Sequence, residues 1–276
     1  MRTVLLAVFI YLFIPCISHT QTPDNNALEK GMNLLETKVY TDKENERILR
    51  QYEGLRVADV SDGLDRAGLP GVGLVDPAIH PDWVDRENLS HCIRGIALTV
   101  RYVPTQRPDR PAPGEDFSRW EGNFYNAYSS EAFTSIIRPG HVIVIDDVEE
   151  KDIGSIGSNN ILGWHKRGAV GVVTDASARD TDEVALEKVP LYLLRKGRGI
   201  RPGRNEIESV NRPMEIGGVL VCPGDVVVAD GDGVVIVPRG VAEEVAKYAQ
   251  AVLKEDKAGR RALYESLEMP LDKTVQ

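Results

Sequence analysis

The feature that most constrains the fold is a strand–helix–strand pattern between residues 141 and 176. The segment HVIVIDDV, which begins at His141, is a continuous apolar run typical of a buried strand. The segment GSNNILGWHKRG, from Gly157 to Gly168, has small polar residues where a helix starts and a glycine where it stops. The segment AVGVVTDA then forms a second buried strand. Strands with helices between them predict an α/β or α+β domain.

The rest of the chain extends this pattern. Residues 44–68 have helical periodicity up to a glycine stop, residues 94–104 are strand-like, and the Pro-rich residues 104–120 predict a long irregular loop. Residues 217–238 contain two or three β-rich runs around PGD and DGDG turns, and residues 240–268 predict an amphipathic helix or helix pair. We therefore divide the chain into a signal peptide (1–20), a polar leader (21–43), a β/β/α domain (44–240) and a C-terminal helical tail (241–276).

The N-terminus predicts export. Met1-Arg2 is a short basic start, and Val4–Ile17 is an apolar core too short to span a bilayer comfortably. Polar residues follow, which places cleavage near Thr20–Gln21. We expect a periplasmic or extracellular protein with no stable membrane insertion after cleavage. An uncleaved membrane anchor is the alternative.

Composition excludes one class of partner. The chain has 276 residues, a net charge of −9 and a pI of about 5.2, which argues against nucleic acid as a partner because phosphate binding needs a basic face. A small anion could still bind in a local positive pocket. The basic run from Arg195 to Arg204 is interpreted as a solvated loop, with a lip that attracts anionic substrate as the alternative.

The cysteines left after cleavage are Cys92 and Cys222. They could pair in an oxidising compartment, but the sequence gives no distance between them. C-x-x-C spacing is absent, so no redox or zinc motif is predicted. We interpret both as buried small hydrophobic residues.

A candidate site follows from the strand–helix–strand pattern. The second strand ends at Arg179-Asp180, and the helix starts at Gly157–Asn160, so both could lie at one edge of the sheet. The helix start offers unpaired N–H groups to an anion, Arg179 suits a carboxylate, and Asp180 suits Mg²⁺ or Mn²⁺. Together they would hold a 2-keto acid and a metal. The simpler interpretation is that charges at a strand end are solvated.

These segments resemble the RraA-like family, which includes the class II 4-hydroxy-4-methyl-2-oxoglutarate (pyruvate) aldolases. The resemblance runs from about Leu55 to Val237, and its most specific parts are RGAVGVVTDASARD and GGVLVCPGDVVVADGDGVVIVP. It implies an α/β fold of the swivelling β/β/α, phosphohistidine-domain type. It also implies a homotrimer or a hexamer of paired trimers, with the substrate at a subunit boundary.

The resemblance also implies roles for individual residues. Arg179 corresponds to the arginine that binds substrate and stabilises an enolate, and Asp180 to the metal-ligating aspartate. The substrate-binding turn corresponds to Gly157, Ser158, Asn159 and Asn160. Active aldolases of the family usually have an acidic residue where this chain has Ser158. In this chain, Asn159 or an acidic residue from another part of the sequence could take the role of that acidic residue.

The implied function is a metal-dependent lyase. Retro-aldol cleavage of a small anionic 2-keto acid, or decarboxylation of one such as oxaloacetate, would yield pyruvate with Mg²⁺ or Mn²⁺ as cofactor. The alternative is a non-catalytic binding or regulatory protein on the same fold, which Ser158 would permit. A methyltransferase is disfavoured because no nucleotide-binding glycine loop follows a strand.

Overall fold

A computed structural model describes residues 25–148 and 152–275. The predicted signal peptide, and residues 21–24 of the predicted leader, lie outside this part of the chain. The chain separates into a unit of residues 1–36 and a unit of residues 37–276. Within the first unit, helix α1 spans Asn25–Glu29. No helix in the described ranges is both long and apolar enough to cross a membrane.

The larger unit alternates helices and strands. Its helices are α2 (Asp42–Gln51), α3 (Val57–Arg66), α4 (Phe117–Ala127), α5 (Ser158–Lys166), α6 (Thr181–Glu187) and α7 (Ala242–Ser266), with short 3₁₀ turns at Ala132–Ile136 and Arg239–Val241. Its strands are β1 (His80–Pro81), β2 (Ile93–Pro104), β3 (His141–Asp146), β4 (Gly171–Ala178), β5 (Leu191–Lys196), β6 (Asn205–Val210), β7 (Met214–Ile216), β8 (Val219–Val221), β9 (Val226–Asp230) and β10 (Gly233–Val237).

One eight-stranded mixed sheet organises this unit. The strand order is β1-β5-β4-β3-β2-β9-β10, and β6 also pairs with β2. Strands β2 to β5 are parallel to one another, and the remaining pairs in the sheet are antiparallel. Strands β7 and β8 form a separate hairpin. The carboxyl ends of β3 and β4 therefore meet at one edge, as the strand–helix–strand pattern predicts.

Apolar residues of the sheet face three buried clusters. Ile143 and Ile145 on β3 pack with α5, whereas Val142 and Val144 on the same strand pack with the β7–β8 hairpin and with β9 and β10. This alternation is the period-two pattern of a strand buried on both faces. A third cluster joins α2, α3 and α7 to the sheet. In it, Gly63 lies so close to α7 that a Cβ would be 2.8 Å from the carbonyl oxygen of Val245.

The structure departs from the sequence predictions at several boundaries. Residues 44–68 form two helices, α2 and α3, because the chain turns between them with Gly54 at φ +76°. The predicted loop 104–120 already contains the start of α4, whose N-terminus is capped by Asp116. Residues 181–187, for which no element is predicted from the sequence, form the helix α6. The predicted tail contains one long helix, α7, and its apolar face packs into the core.

Candidate active site

A polar cleft of about 260 Å³ opens where β3 and β4 end. Its walls come from the end of α4, the turn 129–131, the segment from Gly154 to Asn160, and the side chains of Arg179 and Arg201. The start of α5 therefore lies beside the end of β4. Hydrogen bonding fixes this arrangement, since the N–H of Arg179 donates to the carbonyl of Ile156 at 2.8 Å.

Gly157 brings the start of α5 against the carboxylate of Asp180. A Cβ placed on Gly157 would lie 2.7 Å from Asp180 Oδ2, closer than any real side chain could come. Asp180 itself adopts a left-handed conformation (φ 56°), which is uncommon for a residue with a side chain and typical of functional turns. The carboxylate of Asp180 is thus held at the N-terminal end of α5, where the helix dipole favours negative charge.

Arg179 lies along the floor of the cleft. Its aliphatic stem packs on Gly154, where a Cβ would be only 2.6 Å from the Cβ of Arg179. Its Nε lies 3.7 Å from Asp180 Oδ2, its side chain is 38% exposed, and it lines the cleft. The guanidinium is therefore available to an anionic ligand.

The other residues of the predicted substrate-binding turn separate in the structure. Asn160 lines the cleft, and its side-chain oxygen accepts the N–H of Gly157 at 3.2 Å. Ser158 is buried, and its hydroxyl donates to Glu183 Oε2 at 2.9 Å. Asn159 is exposed and does not line the described cleft. The structure thus brings together Gly157, Asn160, Arg179 and Asp180, but not Asn159.

Glu131 and Arg201, which also line the cleft, form a hydrogen-bond network with the first turns of α5. Glu131 accepts hydrogen bonds from Asn160 Nδ2 at 2.5 Å, Trp164 Nε1 at 2.9 Å and Arg201 Nη2 at 2.8 Å. Arg201 is only 3% exposed, and it also donates to the carbonyl of Ser155 and to the hydroxyl of Tyr102. This charge-assisted network fixes the first turn of α5.

Behind this network lies a second layer of buried polar groups. The amide of Asn205 donates to Asp147 Oδ1 at 2.7 Å and to the hydroxyl of Ser155 at 3.0 Å, and its oxygen accepts from the hydroxyl of Ser129. Burial raises the pKa of Asp147 above its ordinary value. Ser129 and Ser155 also line the cleft, so the wall of the cleft is continuous with this buried layer.

Sequence reasoning missed the supporting residues. The sequence predicts a solvated loop for the basic run that contains Arg201, which is wrong for Arg201 because its guanidinium is buried against Glu131. Glu131 precedes a short turn and has no motif around it, so only its position in space reveals its role. Glu183 could have been noticed from its spacing, because it stands one helical turn after Asp180.

The donor chemistry of the site suits a hard divalent cation. No group of three or more His, Cys, Asp or Glu residues that could hold a metal occurs within residues 25–148 and 152–275. Asp180 and Glu183 provide two carboxylates around the start of α5. Mg²⁺ is usually bound by one or two carboxylates, with water and substrate as the other ligands, so these two residues fit it.

Comparison with protein families shows which family the chain belongs to. The model of the RraA-like (Aldolase/RraA) family matches residues 57–236, and the chain belongs to that family. The expected RraA-like α/β fold is thereby confirmed. A Halalkalibacterium halodurans protein, provisionally named 4-hydroxy-4-methyl-2-oxoglutarate aldolase, is 33% identical over 131 residues. That match covers 47% of this chain and 61% of the relative, so the chain spans less than two thirds of that relative's length.

Solved structures agree on the fold. A protein from Pseudomonas syringae pv. tomato is 27% identical with a TM-score of 0.64, and the match covers 87% of this chain and 96% of that protein. Streptomyces coelicolor RraAS2, described as an unusual member of the RNase ES inhibitor RraA family, is 22% identical with a TM-score of 0.64. The match to RraAS2 covers 78% of this chain and 98% of RraAS2, and it shows the shared fold.

Proposed function

We propose that this protein is a divalent-metal-dependent carbon–carbon lyase that cleaves or decarboxylates a 2-keto acid to give pyruvate. The observation that carries the proposal is the geometry at the start of α5. Gly157 and Arg179 line the cleft, and Asp180 Oδ2 lies 2.7 Å from a Cβ placed on Gly157, so Asp180 borders the cleft. Relatives named as 4-hydroxy-4-methyl-2-oxoglutarate aldolases support the same class of reaction. We take retro-aldol cleavage and oxaloacetate decarboxylation as its two forms.

The chain's own residues would bind and polarise the substrate. The first N–H groups of α5 have no partner within the helix and would hold the substrate carboxylate. Arg179, whose Nε is 3.7 Å from Asp180, would share the negative charge that develops as the enolate of pyruvate forms. Glu131 and Arg201 would keep the first turn of α5 in place and so fix the orientation of the substrate.

Asp180 and Glu183 would hold the cofactor, Mg²⁺ or Mn²⁺. When bound, the metal supplies Lewis-acid polarisation of the 2-keto oxygen. Glu183 contributes the carboxylate that the family usually places at position 158, because the hydroxyl of Ser158 directs Glu183 Oε2 to that place. In the retro-aldol form, the carboxylate of Glu183 would take up the proton of the substrate's 4-hydroxyl group as the carbon–carbon bond breaks and would return it to the enolate of pyruvate; decarboxylation releases CO₂ and needs only the second of these transfers, from solvent.

The setting of the reaction is part of the proposal. The apolar N-terminus supports export through a signal peptide at residues 1–20, and the family resemblance supports a homotrimer or hexamer. The negative charge of the chain argues against nucleic acid as a partner. The same fold in RraAS2 keeps a non-catalytic binding protein as the second candidate, which Ser158 favours.

The test is pyruvate release from 4-hydroxy-4-methyl-2-oxoglutarate and from oxaloacetate, with Mg²⁺ or Mn²⁺ and then with EDTA. We expect EDTA to abolish turnover and Asp180→Ala to lower kcat/KM at least 100-fold. Asp182→Ala is the matched control, since Asp182 is an exposed carboxylate on α6, two residues from Asp180, and is not among the groups nearest to Gly157. Absence of turnover from the folded protein on both substrates would favour the binding protein.

A second comparison tests the role of Glu183. We expect Glu183→Gln to lower kcat/KM at least tenfold, and the double variant Glu183→Gln, Ser158→Asp to regain part of the loss. Circular dichroism would establish that each variant is folded. Full activity of Glu183→Gln would remove Glu183 from the mechanism.

A further inference from the structure

A second and larger cavity lies away from the candidate active site. Its volume is about 620 Å³, and none of its lining residues lines the cleft. The walls are the segment before β2, the β9–β10 turn, the second half of α7 and the residues around Lys273. Arg94 at the start of β2 lines this cavity, whereas Tyr102, eight residues along the same strand, bonds to Arg201 of the cleft. A strand of this length separates the two sites by about 26 Å.

The cavity collects positive charge on an acidic protein. Arg86, Arg94, Arg260 and Lys273 line it, and none of the four forms an ion pair with another residue in the described ranges. The contacts that three of them make are to neutral groups. Arg94 donates to the carbonyl of Leu55 at 2.6 Å, Lys273 donates to the carbonyl of Glu87, and Arg260 donates to the hydroxyl of Thr274 at 3.0 Å.

The carboxylates nearby do not neutralise this charge. Asp256 is paired with Arg56 at 2.7 Å, so these two lining residues cancel each other. Asp230 accepts the backbone N–H groups of Val57 and Asp232. Lys257 also lines the cavity but has an interaction of its own and is left out of the count. The other four cations face two remaining lining carboxylates, Asp230 and Asp232, and Asp272, outside the lining, interacts with Arg260. The cavity therefore keeps a positive excess. In a partly enclosed site such an excess attracts anions more strongly than it would in open water.

Part of the cavity wall is apolar. Val84 is 50% exposed and Leu89 is 42% exposed, and both line the cavity together with Leu253. Leu89 also has φ 57°, a left-handed conformation that is unfavourable for a leucine and that proteins keep mainly at functional sites. A ligand matched to this cavity would have an apolar body as well as negative charge.

We propose that this cavity binds an amphipathic organic anion, with an aromatic or otherwise apolar body and a doubly charged head such as a phosphate ester. The apolar body would contact Val84 and Leu89, and the charged head would bind between Arg86, Arg94 and Lys273. Residues 253–274 contribute one wall and lie outside the region matched by the family model, residues 57–236. The site is therefore a property of this chain that does not depend on the proposed lyase activity.

Calorimetric titration of the full-length protein tests the proposal. The probe is 1-naphthyl phosphate, and its two halves, 1-naphthol and inorganic phosphate, are the matched ligands. We expect one 1-naphthyl phosphate per chain, with each half binding at least tenfold more weakly. The affinity should fall as NaCl is raised from 50 to 500 mM because salt screens the charges. If inorganic phosphate bound as tightly as 1-naphthyl phosphate, the apolar body of the ligand would contribute nothing and the proposed amphipathic ligand would be wrong.

Variants locate the site. Arg86→Gln removes a side chain that has no hydrogen bond or ion pair with any described residue, so its fold should be unaffected. We expect the double variant Arg86→Gln, Lys273→Gln to weaken 1-naphthyl phosphate at least tenfold. Lys254→Gln, an exposed lysine of α7 outside the cavity, should leave binding unchanged. If Arg179→Gln weakens binding and the double variant does not, the anion binds in the cleft and the proposal fails.

Discussion

Among single residues, Asp225 explains the PGD motif in structural terms. Its carboxylate accepts the N–H of Cys222 at 2.8 Å and the N–H of Arg239 at 2.9 Å, so it joins the start of β9 to the end of β10. The preceding Gly224 has φ +95°, and a Cβ on it would lie 2.5 Å from the ring of Tyr40. The motif that identifies the family in the sequence therefore serves folding at this position rather than catalysis.

The buried position of Asp225 predicts a pH dependence of stability. Burial raises the pKa of Asp225 to about 6, whereas the carboxyl titrates near 3.9 in the unfolded chain. The folded protein therefore binds the proton more tightly, and the contribution of this group to stability falls as pH rises from about 4 to about 6. The quantity to measure is the difference in unfolding free energy between wild type and Asp225→Asn, taken as wild type minus variant. We expect this difference to decrease by on the order of 2 kcal/mol between pH 4 and pH 7. Urea denaturation at both pH values measures the difference, and a constant or increasing value would contradict the raised pKa of Asp225.

Glu131 leads to a second prediction at the residue scale. Its two oxygens accept three hydrogen bonds, from Asn160, Trp164 and Arg201. Glu131→Gln would point an amide donor at another donor and weaken the remaining bonds, which should cost about 1–3 kcal/mol of unfolding free energy. Since the same bonds hold the first turn of α5, we expect kcat to fall further than KM rises. Glu121→Gln on α4 is the control, because the side chain of Glu121 is partly exposed and does not line the described cleft. Loss of stability with unchanged kcat would limit Glu131 to a structural role.

At the scale of elements, the start of α5 offers a substitution that should lower activity with little effect on stability. A Cβ on Gly157 would displace Asp180 Oδ2, but its φ of −112° is open to any residue and Asp180 is partly exposed. We expect Gly157→Ala to lower kcat/KM at least tenfold with little loss of stability. Gly163 lies in the same helix with nothing within 4 Å of its Cβ position, so Gly163→Ala should raise the unfolding free energy by about 0.5–1 kcal/mol and keep activity. Thermal denaturation and pyruvate assays on both variants test this, and full activity in Gly157→Ala would show that Asp180 can shift without harm.

The helices and strands also show how much of the fold and of the candidate site could be predicted from the sequence. Strands β3 and β4 were predictable because each is a continuous apolar run, and helix α5 because its sequence has clear start and stop signals. The division between α2 and α3 was missed because apolar periodicity continues through the turn at Gly54. In the site, Arg179 and Asp180 could be proposed because they are adjacent in sequence. The network of Glu131 and Arg201 joins residues 70 positions apart, and pairing over such distances depends on tertiary structure that local pattern does not encode.

At the scale of the whole molecule, the two ends of β2 carry different chemistry. One end contributes Tyr102 to the network beneath the cleft, and the other contributes Arg94 to the cationic cavity. Such a separation lets each site be altered without the other, because the strand between them is buried in a tightly packed sheet. Cys92 and Cys222 are partly exposed, whereas the sequence predicts that both are buried.

The position of Cys92 predicts a difference in thiol reactivity between the native and the unfolded protein. Burial raises the pKa of the Cys92 thiol, so its reaction with a thiol reagent in the native protein should be slow and should accelerate on global unfolding in urea. Cys92→Ser serves as the control that assigns the slow phase. A Cys92 thiol that reacts as fast in the native protein as in the unfolded protein would contradict this prediction.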